Sequence, residues 1–124
     1  MNIEPLTPAI GATILDVDLG SVTPGLIDDL RAALLKYKVL FFRDQAITPE
    51  QHIRFAHQFG ELEIHPATPK DQNNREILHI AHGPKSRGSE NFWLSVVWWR
   101  EQPSLGSILR ARKVPPVGGD TLFA

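Results

Sequence analysis

The chain has 124 residues, no cysteine and a formal net charge of −1 from 13 basic and 14 acidic side chains. That length fits one domain or part of a larger one; the balanced, dispersed charge leaves no basic footprint for nucleic acid, and the missing thiols exclude disulfides and thiolate metal sites. Apolar runs such as VLFF and VVWW are far too short to span a bilayer, and the opening MNIEPLTPAI lacks the basic and long apolar regions of a signal peptide, so no membrane partner and a cytoplasmic location are expected.

In chain order, NIEPL and ATILDVDL predict short strands punctuated by Gly11 and Gly20. SVTPGLIDDLRAALLKYK predicts a helix, with Thr23 as cap, Pro24 at the first helical position and Leu26, Ile27, Leu30, Ala33, Leu34 and Tyr37 as its apolar stripe. KVLFFRD follows as a buried strand. ITPEQHIRFAHQFG predicts a second helix, in which Thr48 caps, Pro49 starts, Gln51 completes a capping box and Ile53, Ala56 and Phe59 make the buried stripe, with Gly60 as a left-handed stop. After a polar, turn-like ATPKDQNN, strands are expected at EILHIAH, NFWLSVVWWR, GSILRARKV and DTLFA, the last entered through a PPVGG turn. Helices early and strands later predict an α+β protein, two helices packed on a mostly antiparallel sheet.

The chemical candidates are few. His52 and His57 lie five residues apart on the second helix, off any shared face, and read as surface or boundary residues. His79 and His82 would point to opposite faces of a strand. His65 stands apart because Pro66 follows it at the exit of a short segment. The GGDT turn lacks the GKS or GKT ending of a phosphate loop, and no nucleophile elbow is present. NFWLSVVWWREQP raises a different question, because its even-numbered side chains Leu94, Val96 and Trp98 put bulky apolar groups in a row on one face of a strand.

KVLFFRDQAITPEQHIRFAHQFGELEIHP resembles the N-terminal part of the taurine dioxygenase family, and GSILRARKVPPVGGDTLFA resembles the same family further along, in matching order and spacing. The resemblance extends over nearly the whole chain. It implies a Fe(II)- and 2-oxoglutarate-dependent dioxygenase and a double-stranded β-helix, or jelly roll, with helices packed outside. The iron of that family is held by two histidines and a carboxylate. The first two ligands form a His-x-Asp pair, which one strand presents on one face. Aligned on Trp93, Pro103 and Gly106, those positions here carry Leu94 and Val96, and the family threonine position carries Trp98.

By the same resemblance, His65 matches the residue that contacts the substrate's anionic group, Val97 a substrate-pocket position and Thr121 the threonine that hydrogen-bonds 2-oxoglutarate. The family's distal histidine and its 2-oxoglutarate arginine lie downstream of the GGDT block and have no counterpart in this chain. The expectations are therefore a single, incomplete domain over residues 1–124, only part of a jelly roll, and no metal or cofactor bound. A homo-oligomer or a missing C-terminal half should cover its apolar face. As it stands the chain is expected to be inactive toward a sulfonate, sulfate ester or carboxylate. Its alternatives are a non-catalytic interaction module or an engineered or truncated form of a full enzyme.

Overall fold

The computed structural model describes residues 1–83 and 101–123. The chain divides into two units, the first built from Met1–Leu62 with Ala111–Ala124 and the second from Glu63–Arg110.

The first unit holds every regular element among the described residues: β1 (Asn2–Pro5), β2 (Ala12–Leu15), α1 (Pro24–Tyr37), β3 (Leu40–Phe42) and α2 (Pro49–His57). The sheet order is β1-β2-β3. β1 pairs antiparallel with β2, Ile3 opposite Ile14, and β2 pairs parallel with β3, Ala12 opposite Leu40. The expected mostly antiparallel sheet is therefore corrected to a mixed one. The reason is topological: α1 is the crossover that brings the chain back alongside β2 in the same direction. Gly11 sits at the entry to β2 with φ 89°, and a Cβ there would lie 3.5 Å from the Leu6 side chain. A glycine takes this conformation without the steric cost of a Cβ.

Both helices start where their caps dictate. Thr23 accepts a hydrogen bond from the Leu26 amide at 3.4 Å, with Pro24 opening α1. At α2 the Thr48 hydroxyl accepts from the Gln51 amide at 3.2 Å, while the Gln51 side chain accepts from the Thr48 amide at 2.8 Å. Two otherwise orphaned amides are thus satisfied reciprocally. α1 ends at Lys38, whose φ of 67° turns the chain toward β3 while its amide donates to the Leu34 carbonyl at 2.8 Å. After α2, Gly60 takes a φ of 149°.

Ile14 from the sheet, Ile27, Leu30 and Ala33 from α1, and Phe55 from α2 meet with Leu19 and Ile47 in one core. Of the expected α1 stripe, Ile27, Leu30 and Ala33 are buried, Leu26 and Tyr37 pack at its edge, and Leu34 is half-buried. The α2 stripe is re-centred: Phe55 is the buried residue, and Ile53, Ala56 and Phe59 are half-buried. Phe55 packs edge-on against Phe42 at 6.3 Å and Phe59 at 5.3 Å. Arg31 ties α1 to the end of α2 by donating to the Gln58 carbonyl at 3.3 Å, with its guanidinium over the Phe59 ring. Gln45 closes the loops around the core. Its Oε1 accepts from the Leu19 amide at 2.9 Å and its Nε2 donates to the Val17 carbonyl at 3.0 Å.

The second unit, where described, is made of turns. Thr68 N–H donates to the His65 carbonyl at 2.9 Å, and Ile77 N–H to the Asn74 carbonyl at 2.9 Å. Gln72 Nε2 donates to the Ile77 carbonyl at 2.7 Å. The expected strand at EILHIAH is thus replaced by a turn ending at Ile77 and irregular chain, and neither GSILRARKV nor the described part of DTLFA forms a strand. A strand's amides and carbonyls need a neighbouring strand, and alternation in the sequence supplies none. The expected strand NFWLSVVWWR lies outside the described residues.

Candidate functional site

His65 lies in the second unit at the start of a tight turn. Pro66 follows with its ring-fixed φ. The Ala67 amide donates to His65 Nδ1 at 3.1 Å, and the Thr68 amide closes the same turn on the His65 carbonyl. The imidazole is exposed. Three residues on, Thr68 is only 5% exposed, and its hydroxyl has no hydrogen-bond partner among the described residues. An unpaired buried hydroxyl costs about 1–3 kcal/mol, so replacing it by an apolar group of the same shape removes that cost. Thr68→Val is therefore expected to be neutral or stabilising by up to about 1 kcal/mol, read as the shift in a urea or thermal unfolding midpoint. A loss of more than about 1 kcal/mol would show that the hydroxyl is paired in solution.

Thr121 lies in the first unit. It is exposed and lines a cavity of about 200 Å³ whose other walls include Gly11, Val39, Phe41 and Phe123. Phe123 meets Phe41 edge-on at 6.4 Å. Just before Thr121, Gly118 and Gly119 both take positive φ, 78° and 75°. This tight turn suits glycine, and it delivers Thr121 to the wall of the cavity. The surroundings are largely apolar. Thr7, the other hydroxyl there, is engaged with both the amide and the carbonyl of Ile10.

A second cavity in the same unit, about 430 Å³, is lined by Leu19, Val22 and Phe55 with Gln51, Arg54 and Gln58 at its polar side. Sequence reasoning did not find it, because it forms where the loop before α1 meets α2, and no motif marks that meeting.

Val97, Leu94, Val96 and Trp98 lie outside the described residues. His65 and Thr121 belong to different units. Of the other histidines, His52 is half-buried on α2 while His57, His79 and His82 are exposed. Among the described residues no three His, Asp or Glu side chains gather to form a metal site, and no helix is long and apolar enough to cross a membrane.

The chain is 32% identical to an (S)-phenoxypropionate/alpha-ketoglutarate-dioxygenase of Sphingobium herbicidovorans, over 99% of this chain and 44% of that protein. It is also 32% identical to an alpha-ketoglutarate-dependent sulfate ester dioxygenase of Pseudomonas putida, over 100% of this chain and 41% of that protein. The chain thus spans less than half the length of these relatives. Among solved structures it is similar to a taurine dioxygenase from Burkholderia xenovorans, with a TM-score of 0.51 and 43% identity over 54% of this chain and 25% of that one. The family model for the taurine catabolism dioxygenase TauD, TfdA family matches residues 2–124, and the chain belongs to that family.

Proposed function

We propose that the chain is the N-terminal part of an alpha-ketoglutarate (2-oxoglutarate)-dependent dioxygenase acting on a small organic anion, and that the chain as it stands does not turn over. The family match over residues 2–124 supports the first half, and the second is supported by the sequence, which, aligned on Trp93, Pro103 and Gly106, carries Leu94 and Val96 at the His-x-Asp positions of that family. The substrate class, a sulfonate, sulfate ester or carboxylate, is supported by the relatives' activities. In this reading His65 and Val97 face the substrate, Thr121 hydrogen-bonds 2-oxoglutarate, and the protein works in the cytoplasm.

The iron of the family does not fit the donors present. Leucine and valine offer no lone pair to a metal. No step is therefore assigned through a metal.

Residues 1–124 are in this reading one incomplete domain whose jelly roll is finished by strands outside it. The apolar side chains of the last described stretch support this, since Leu109 is 77% exposed and Val117 88%. A C-terminal half, or a second copy of the chain, would cover them. The same exposed surface favours a second reading, a non-catalytic module of the family that acts by binding a partner.

Anaerobic titration of the chain with Fe(II) and 2-oxoglutarate tests the proposal. No metal-to-ligand charge-transfer band is expected. A band that saturates at one equivalent and survives replacement of the exposed histidines would overturn the inactive reading.

A further inference from the structure

We propose that the cavity between the loop before α1 and α2 binds a small organic carboxylate, with Arg54 on the carboxylate and Leu19, Val22 and Phe55 around an apolar body. The site lies wholly in the first unit and does not depend on the roles given to His65 and Thr121.

The walls are held before anything binds. Gln45 Oε1 accepts from the Leu19 amide at 2.9 Å and fixes the loop side. Gln51 Oε1 is engaged with the Thr48 amide at 2.8 Å, which leaves Nε2 as the end that can donate. That Nε2 lies against Gly20: a Cβ there would stand 2.8 Å from it and 3.1 Å from Asp18 Oδ1. The φ of Gly20 is not positive, so glycine supplies room rather than backbone freedom. On the α2 side, Gln58 Nε2 donates to the Arg54 carbonyl at 3.4 Å and the Gln58 amide to the Phe55 carbonyl at 3.1 Å. A site whose walls are already held loses little ordering entropy when it fills.

Its volume, about 430 Å³, is that of a small-molecule site. The apolar side is deep, with Leu19 and Phe55 both buried. The polar side carries one formal charge, the Arg54 guanidinium, and no acidic side chain lines it. Asp18, next to the loop, is turned onto the Gly20 amide at 2.8 Å. Gln51 Nε2 and the Ser21 hydroxyl add donors, and Gln58 Oε1 is an acceptor. The N-terminal end of α1, at Pro24, borders the same space and adds partial positive charge. A carboxylate matches the planar fork of the guanidinium and brings a single charge to a single cation. A phosphate dianion would stay half neutralised, and an ammonium ion would be repelled by Arg54.

The test titrates the ¹⁵N-labelled chain with benzoate and, separately, with its uncharged counterpart benzyl alcohol. Benzoate should move the amide signals of Gly20, Ser21, Gln51 and Phe55 with saturation. It should bind about fivefold more tightly than benzyl alcohol, the scale of one exposed ion pair. Arg54→Gln should remove that preference and leave benzyl alcohol binding unchanged. Ser21 is exposed, so Ser21→Phe can fill the mouth of the cavity without entering the core, and it should block both probes while the Leu30 amide signal stays in place. Equal affinity of the wild-type chain for the two probes overturns the choice of an anion. No saturating shift with either probe, or shifts that survive Ser21→Phe, overturn the site. Benzoate shifts confined to residues 65–77 would fit the substrate reading of His65 and overturn this one.

Discussion

Phe55→Ala is expected to destabilise the first unit by about 3–5 kcal/mol, the range for truncating a buried aromatic ring. Phe55 is 4% exposed and packs edge-on against both Phe42 and Phe59, so its removal empties the junction between α2 and β3. The ring contacts add about 0.5–1.5 kcal/mol per pair beyond burial. Chemical denaturation followed by tryptophan-independent far-UV signal measures the loss. Phe55→Leu should recover more than half of it, because the volume is largely restored. If Phe55→Ala costs less than about 1 kcal/mol, α2 is not docked through this residue.

Leu30→Ala should cost about 2–5 kcal/mol. Leu30 is 0% exposed and lies at the centre of the face that α1 lays on the sheet. Its neighbour Leu35 is 62% exposed on the same helix, and Leu35→Ala should change stability by less than about 0.5 kcal/mol. The contrast between the two variants reads burial directly, since both keep the same helix propensity change. Equal effects would mean that α1 is not packed as described.

Much of the first unit was legible because its signals are local. Thr23, Thr48 and Gln51 cap through atoms three residues away, so spacing alone locates both helix starts. Ile27, Leu30 and Ala33 follow the helical period and bury as a stripe. The direction in which β3 pairs was not legible, because alternation in LFF says which side chains share a face and nothing of the partner strand. The α2 stripe was misread by placing Ile53, Ala56 and Phe59 at its centre; Phe55 wins because it meets Phe42, a contact from outside the helix. EILHIAH and GSILRARKV carry strand-forming residues, and in the described structure they lack strand partners. At the candidate site, the family pattern pointed to His65 and Thr121, while the Ala67 amide, the buried Thr68 hydroxyl and the Gln45 clamp are tertiary or backbone facts that residue types do not announce.

The first unit takes its two segments from both ends of the chain, and residues 63–110 leave and re-enter it like a long insertion. Closing such an excursion costs entropy that grows only with the logarithm of its length, so doubling it adds about 0.6 kcal/mol. Evolution can therefore lengthen, shorten or rewrite the stretch that carries His65 at small expense to the frame around Leu30 and Phe55. The same topology delays completion of that frame during synthesis. Phe123 reaches Phe41 only after the whole of that excursion has been synthesised, so the nascent protein must keep the Phe41 ring uncovered while the insertion is being made.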